Sequence, residues 1–266
     1  MNVLENTCKI CDSKSKYIFT CKVLNKFDVR YYKCANCEFI QTEEPYWLQE
    51  AYSSAITSLD IGLIYRNLKC VPIVETLIKS FFRSDKKYVD YGGGYGMFVR
   101  MMRDKGFDYF RQDIYCENLF AKNFDVYDLN DTKINFELLT AFEVFEHLVN
   151  PLQEFEKMLE YSSNIFFTTN VYPKNTDLLA WWYLIPETGQ HVSLYSDKSL
   201  RVIAEKYNLN FYSFDSTEHL FTKNKLSKKD YDLIFDEGYR TRFNQKKQSP
   251  SSLLISDFNK ISGIKM

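Results

Sequence analysis

Apolar residues recur at helical spacing over 61–82, at Ile64, Leu68, Val71, Val74, Leu77, Ile78 and Phe81, and predict a helix there. Pro72 falls inside it and is expected to kink it or split it in two. From residue 86 the pattern changes to short apolar runs alternating with helical stretches. Strands are predicted at 87–91, 109–112, 123–127, 137–141, 164–169, 210–214 and 219–223, and helices at 96–105, 152–161 and 198–207. Such alternation predicts an α/β fold, a mostly parallel sheet with helices on both faces. The last two strands are too close for a crossover, so they predict an antiparallel edge. Ahead of the long helix, Tyr17–Cys21 and Phe27–Lys33 read as two short strands.

Composition narrows the class. The chain has 266 residues, 45% hydrophobic and 26% charged, enough apolar material for a buried core. Thirty-four basic against 35 acidic side chains give a net charge of −1, which weighs against nucleic acid or an anionic membrane as partner. No apolar run approaches the roughly 18 residues of a membrane span. The start, Met1–Ile10, lacks the apolar core of a secretion leader, so a cytoplasmic location is expected. Residues 223–266 carry ten basic and five acidic side chains. They read as a solvated helical tail, with a phosphate on the substrate as the alternative partner.

Four of the seven cysteines form two pairs, Cys8-Lys9-Ile10-Cys11 and Cys34-Ala35-Asn36-Cys37. A Cys-x-x-Cys turn points two thiolates at one ion, and two such knuckles complete a tetrahedral site. Zinc suits it, with iron as the alternative. All four positions come from protein, so the site is structural. A small ribbon of this kind draws most of its folding free energy from the metal. Cys21, Cys70 and Cys116 read as small buried hydrophobes.

The sharpest motif is Asp90-Tyr91-Gly92-Gly93-Gly94-Tyr95-Gly96, between a predicted strand and a predicted helix. Glycines allow the turn and let backbone approach a ligand, and the helix start offers free N–H groups. Asp113 ends the next strand, where a carboxylate can accept from the hydroxyls of a ribose. The stretch 86–222 resembles the class I S-adenosylmethionine-dependent methyltransferases. The resemblance implies a Rossmann-like seven-stranded methyltransferase sheet. It implies that Asp90, Gly92, Gly94 and Gly96 lie at the cofactor's amino-acid end, and that Asp113 holds its ribose. Asp128-Leu129 would flank the adenine, and Ala141, Phe142 and Glu143 would lie near the sulfonium.

Phe142-Glu143-Val144-Phe145-Glu146-His147 looks like the Glu-Val-x-Glu-His motif of small-molecule methyltransferases. The segment Trp181–Tyr195 looks like a substrate-side loop of the same group. A four-cysteine ribbon ahead of such a domain is similar to nucleotide-sugar C-methyltransferases of surface-glycan pathways. Those enzymes carry a further carboxy-terminal domain and show Glu-His where this chain has Gln190-His191. The expected reaction is therefore methyl transfer to an oxygen of a small polar acceptor, a sugar, nucleotide-sugar or phosphorylated (phosphoramidate) precursor of capsule or surface polysaccharide. Carbon methylation of a ketosugar and a non-catalytic zinc-ribbon binding module are the alternatives. His191, His147 and Tyr195 are the candidate catalytic residues, because an imidazole titrates near neutrality and suits a general base. Glu143 and Glu146 would orient His147 or lie in solvent. His219 reads as structural. The expected organisation is a zinc ribbon over 1–45, a connector and helical lead-in over 46–85, the cofactor domain over 86–225 and a helical tail over 226–266.

Overall fold

The structure, a computed structural model, describes residues 5–53, 56–130 and 134–265. Of the start Met1–Ile10 read above, the first four residues lie outside it. In chain order the first strands are β1 (Glu5–Thr7), β2 (Lys14–Val23), β3 (Phe27–Cys34) and β4 (Ile40–Thr42), followed by helices α1 (Leu48–Ala51) and α2 (Leu63–Phe81). Then come β5 (Lys87–Tyr91), α3 (Met97–Asp104), β6 (Asp108–Gln112), β7 (Leu138–Phe142), α4 (Pro151–Tyr161) and β8 (Ile165–Thr168). The chain continues through β9 (Ser193–Leu194), α5 (Asp197–Lys206), β10 (Asn210–Phe214) and β11 (Glu218–Thr222). Helices α6 (Lys228–Phe235), α7 (Glu237–Lys246) and α8 (Leu254–Ser262) close it.

Two sheets form. One has the order β1-β2-β3-β4-β9, the other β10-β11-β8-β7-β5-β6. In the second, β5 pairs in parallel with β6 and β7, while β10 and β11 are antiparallel, so the sheet is mixed. Strands β5, β7 and β8 are buried almost throughout, which explains their continuous apolar runs. Among the described residues this sheet has six strands, one fewer than expected. The segment predicted as a strand at 123–127 makes a single parallel bridge, Arg111 with Asp125. There the Asp125 N–H donates to the Asp128 carboxylate at 2.8 Å, and the chain turns into one 3₁₀ turn, Val126–Asp128. A backbone donor spent on a local cap is lost to the ladder.

The chain divides into two compact units. One comprises 1–59, 142–157 and 167–223, the other 60–141, 158–166 and 224–266. In the first, the hairpin β2–β3 and the segment 172–194 share one apolar core: Val23, Val29, Tyr31, Ile40, Trp47, Tyr172, Trp181, Tyr183, Val192 and Leu194. Strand β9 pairs with β4 through Ile40 with Leu194 and Gln41 with Ser193. The amino-terminal hairpin and the Trp-rich segment 181–195 are thus built on one sheet. His219 is fully buried in this unit. Its Nε2–H donates to the Thr169 carbonyl at 3.0 Å, and Ser213 Oγ lies 2.9 Å from Nδ1.

Burial pushes the His219 imidazole down to about 4 from its ordinary 6.5. The depressed value means that the unfolded chain takes up the proton first as pH falls. The stabilisation is therefore complete above pH 6.5 and is lost on the way down to about pH 4, a loss of roughly 3 kcal/mol. Imidazole NMR is expected to show His219 neutral at pH 5.5; titration near 6.5 would refute its buried, two-bonded setting.

In the second unit α2 runs unbroken through Pro72. Thr76 Oγ1 and Asn244 Nδ2 donate to the Pro72 carbonyl at 2.8 and 3.3 Å. Val71, Ile73, Val74, Leu77 and Ile78 bury the following turns, and packing of that stripe outweighs the lost N–H bond. Ile64 and Leu68, expected inward, are exposed. The tail helices belong to this unit and are pinned to it. Arg103 grips Asp257 of α8 with two parallel bonds of 2.9 and 2.8 Å, and both side chains are buried. Asp108 and the Tyr109 carbonyl take the remaining Arg103 donor at 2.7 and 2.8 Å. A buried pair so fully bonded is one whose single removal typically costs about 3–5 kcal/mol. No helix of the described residues is long and apolar enough to cross a membrane.

Candidate active site

The glycine loop lies between β5 and α3, as its motif predicts. Gly92, Gly94 and Gly96 all have positive φ, at 67°, 53° and 82°. A Cβ on Gly96 would sit 2.8 Å from Asn118 Oδ1 and 2.9 Å from Ala121 Cβ, so only glycine fits there. Asp90 is buried beneath the loop. Thr140 donates to its Oδ1 at 2.6 Å, and a Cβ on Gly93 would lie 3.0 Å from its Oδ2. Burial, with the Asp113 charge adding to it, pushes the Asp90 carboxyl up to about 7.

Asp113 is also enclosed and ties the loop together. Its Oδ2 accepts from Gly94 N–H at 2.9 Å, and its Oδ1 from Tyr115 and Cys116 N–H at 2.8 Å each. An ionised carboxylate offers about four acceptor sites. One acceptor site therefore remains. Arg111 stands behind the loop, donating to the Gly94 carbonyl at 2.6 Å and to Asp125 at 2.7 Å. Immediately after Asp113, Ile114 and Tyr115 present exposed apolar side chains. Asp128 caps its own turn, and Ala141 is buried in β7.

A second cluster gathers where β7 ends, within the first unit. Glu143 has a positive φ of 53°. Its carboxylate accepts from Thr168 Oγ1 and from the Tyr183 hydroxyl, both at 2.7 Å. Glu146 and His147 follow on a 3₁₀ turn, Phe145–His147. Glu146 is fully buried, and neither of its carboxylate oxygens makes a well-formed hydrogen bond, with the Tyr183 and Thr169 hydroxyls nearby. Burial, reinforced by the Glu143 charge, pushes its carboxyl up to about 8. His147 Nε2 lies 3.8 Å from Glu146 Oε1, while its Nδ1 meets the Tyr52 hydroxyl at 3.1 Å. The His147 and His191 rings are 5.1 Å apart, edge to face. His191 Nδ1 lies 2.7 Å from the Tyr183 carbonyl, which can only accept, so Nδ1 carries the proton.

Tyr195, expected among the catalytic groups, is fully buried, and its hydroxyl donates to the Phe145 carbonyl at 3.1 Å. It braces the turn that carries Glu146 and His147. The loop ahead of His191 is fixed by Trp47 Nε1–H on the Gly189 carbonyl at 2.8 Å and by Gln190 on the Ala51 carbonyl at 3.0 Å. Sequence reasoning missed Tyr52, Thr168 and Tyr183. Tyr52 and Thr168 lie in no motif and Tyr183 lies within the Trp181–Tyr195 segment; each reaches the cluster by packing. Glu146 was read as an orienting or solvated acid; the structure places it in the interior.

The sulfurs of Cys8, Cys11, Cys34 and Cys37 all lie within 4.8 Å of one another, with Cys8–Cys37 and Cys11–Cys34 at 3.5 Å. Ligands on one tetrahedral zinc stand roughly 3.8 Å apart, so the set fits a single ion. Backbone N–H groups of Ile10, Asn36 and Cys37 point at Cys8 or Cys34 sulfur at 3.3–3.4 Å, the donors a thiolate needs. Cys70 is buried as expected, but Cys21 and Cys116 are only partly so.

The family model for the methyltransferase domain matches residues 64–213. The chain belongs to that family. It is a methyltransferase of the S-adenosylmethionine-dependent kind, as the glycine loop and its acids anticipated. No curated protein matches it. Solved structures give distant likenesses to this methyltransferase. The methyltransferase domain of bacterial CtHen1 is 20% identical, over 59% of this chain and 98% of its own, with TM-score 0.41. Human N-acetylserotonin methyltransferase, in complex with SAM, is 12% identical over 69% and 60%, with TM-score 0.47. The plantazolicin methyltransferase BpumL, with SAH and a monoazolic analogue, is 11% identical over 67% and 93%, with TM-score 0.46.

Proposed function

We propose that this methyltransferase transfers its methyl group to an oxygen of a small polar acceptor. The acceptor would be a sugar, nucleotide-sugar or phosphorylated precursor in capsule or surface-polysaccharide biosynthesis. The observation that carries the reading is the polar cluster of Glu143, Glu146, His147 and His191, held among aromatic side chains. It offers imidazole nitrogen to a hydroxyl in surroundings otherwise apolar.

S-adenosylmethionine, when bound, supplies a methyl on a sulfonium that is displaced in line, sulfur leaving as a neutral thioether. On this reading Asp90, Gly92, Gly94 and Gly96 form its amino-acid end. The start of α3, which no side chain caps, leaves backbone N–H groups to face it. Asp113 takes a ribose hydroxyl with its remaining acceptor site. Ile114 and Tyr115 give the base an apolar surface to cover. Ala141, Phe142 and Glu143 complete the cofactor's surroundings. On the acceptor side, His191 has its Nδ1 proton committed to Tyr183, so Nε2 is the nitrogen that carries the lone pair. His147 shares that side, and Tyr195 is a positioning residue. The division into a zinc ribbon over 1–45, a lead-in over 46–85, a cofactor domain over 86–225 and a tail over 226–266 is part of the same proposal.

The test is transfer from S-adenosylmethionine carrying a ¹³C methyl to a panel of sugars, nucleotide-sugars and sugar phosphates. A product whose labelled carbon resonates as a methoxyl supports the reading. A carbon-bound methyl would replace it with the ketosugar alternative.

A further inference from the structure

We propose that Glu146, His147 and His191 bind a first-row divalent cation, separate from the four cysteines, whose open positions face the acceptor's oxygen. One ligand atom from each of the three lies within 4.8 Å of the other two. Two ligands on one such cation stand up to about 4.2 Å apart, so small side-chain rotations close the set.

Three observations favour a cation over a plain hydrogen-bonded cluster. The first is Glu146. A fully buried carboxylate is normally hydrogen-bonded, ion-paired or bound to metal. Neither Glu146 oxygen makes a well-formed hydrogen bond, although the Tyr183 and Thr169 hydroxyls stand near it, and the His147 imidazole nitrogen lies 3.8 Å away, beyond bonding distance.

The second is the histidine tautomers. His191 Nδ1–H is spent on the Tyr183 carbonyl, so Nε2 holds the lone pair. His147 Nδ1 is engaged by Tyr52, and its Nε2 is the nitrogen nearest Glu146. Metal-binding histidines tie off the other ring nitrogen in this way, on a carbonyl or another oxygen.

The third is charge. Glu143 stands beside the cluster with its own oxygens held by Thr168 and Tyr183, so its charge favours a cation there without competing for it, and the cation would hold Glu146 ionised. Two imidazoles and one carboxylate leave positions open on zinc, manganese or iron(II). A hydroxyl bound there is acidified, which meets the need of an oxygen nucleophile at neutral pH. This inference rests on the oxygen-acceptor reading only for that purpose; the cation site itself does not need it.

The experiment uses the full chain carrying one zinc per molecule at the cysteines, titrated with further Zn²⁺ and followed by calorimetry and histidine ¹⁵N NMR. A second equivalent is expected to bind and to shift Nε2 of His147 and His191, leaving His219 unchanged. Losing the hydrogen bond that holds a ligand's other nitrogen typically weakens metal binding roughly 10–100-fold, so Tyr52→Phe should fall in that range. Glu146→Gln and His191→Ala, each removing a ligand, should weaken it about 100-fold or more. Circular dichroism and S-adenosylmethionine titration report whether each variant folds, and the NMR shifts on the wild type need no variant. The proposal is overturned if no second zinc binds, if it binds without moving His147 and His191, or if folded variants bind it as tightly as the wild type. A second zinc without any S-adenosylmethionine binding would sink the methyl-transfer reading and leave the cation site standing.

Discussion

Replacing Asp113 by alanine is expected to lower the affinity for S-adenosylmethionine by about 100-fold or more. Two losses add. The first is direct: the carboxylate has one acceptor site left after its three backbone bonds, and the proposed ribose hydroxyl uses it. A hydrogen bond to a charged group contributes roughly 1.5–3 kcal/mol. The second is organisation. Gly94, Tyr115 and Cys116 N–H groups converge on Asp113, so alanine frees both sides of the glycine loop at once. The cofactor must then order the loop as it binds. Together these exceed the roughly 2.8 kcal/mol that corresponds to 100-fold. Asp113→Asn keeps an acceptor oxygen for the backbone but loses the charge, and should fall only about 10-fold by the same scale. Calorimetry on the three proteins checks both values, with urea melts to show that the alanine variant is folded. An alanine variant binding within threefold of wild type would remove Asp113 from the cofactor site.

The parts of the molecule that were legible share one property: their signal is local. The strands at 87–91 and 210–214 are single apolar runs between breakers, and the structure has them at those residues. The four cysteines declare themselves by spacing, and the glycine loop by composition. Legibility fails where distant residues decide. The predicted strand at 123–127 carries the right side chains, and Phe124 is indeed buried. Its ladder stops after one bridge because Asp125 and Asp128 close a local cap. Pro72 reads locally as a break, yet the helix continues because the turns after it are packed on all sides. The segment 171–195 has no periodic pattern at all. Its course follows from Trp47, Ala51 and β4, which lie more than 130 residues earlier. His147 and His191 therefore meet through contacts that no motif records. Glu146 sits within a motif, but its burial depends on the same long-range packing.

Stripping the zinc proposed at Cys8, Cys11, Cys34 and Cys37 is expected to dismantle the His191 cluster as well as the sheet that carries the four cysteines. The apparent binding free energy of a structural zinc is about 10–16 kcal/mol, comparable to the whole stability of a domain at about 5–15 kcal/mol. The small sheet β1–β4 buries Val23, Val29, Tyr31 and Ile40 against the segment 172–194, and the knuckles that carry the ion close its other end. What hangs on it is the acceptor side. The Cys37 carbonyl accepts from Ser196 Oγ at 2.9 Å, and the Tyr172 hydroxyl donates to the Glu38 carbonyl. Thr42 N–H donates to the Val192 carbonyl at 3.1 Å, and Leu24 N–H to the Pro186 carbonyl at 2.9 Å. Strand β9, two residues past His191, exists only through β4. Once the knuckles open, these anchors go together, and His191 loses its position. A displacement of 1 Å at a reacting group can cost about 100-fold in rate, so methyl transfer should fall at least that far. The readout that needs no acceptor is limited proteolysis. Cys34→Ser, or the wild type after chelation, should become cleavable both within 5–42 and within 186–195. The glycine loop keeps its own bonds to Asp113 and Arg111, so S-adenosylmethionine affinity should change by less than about threefold. A metal-free chain that resists protease at 186–195 as the metal-bound one does would show that the sheet holds His191 without the ion.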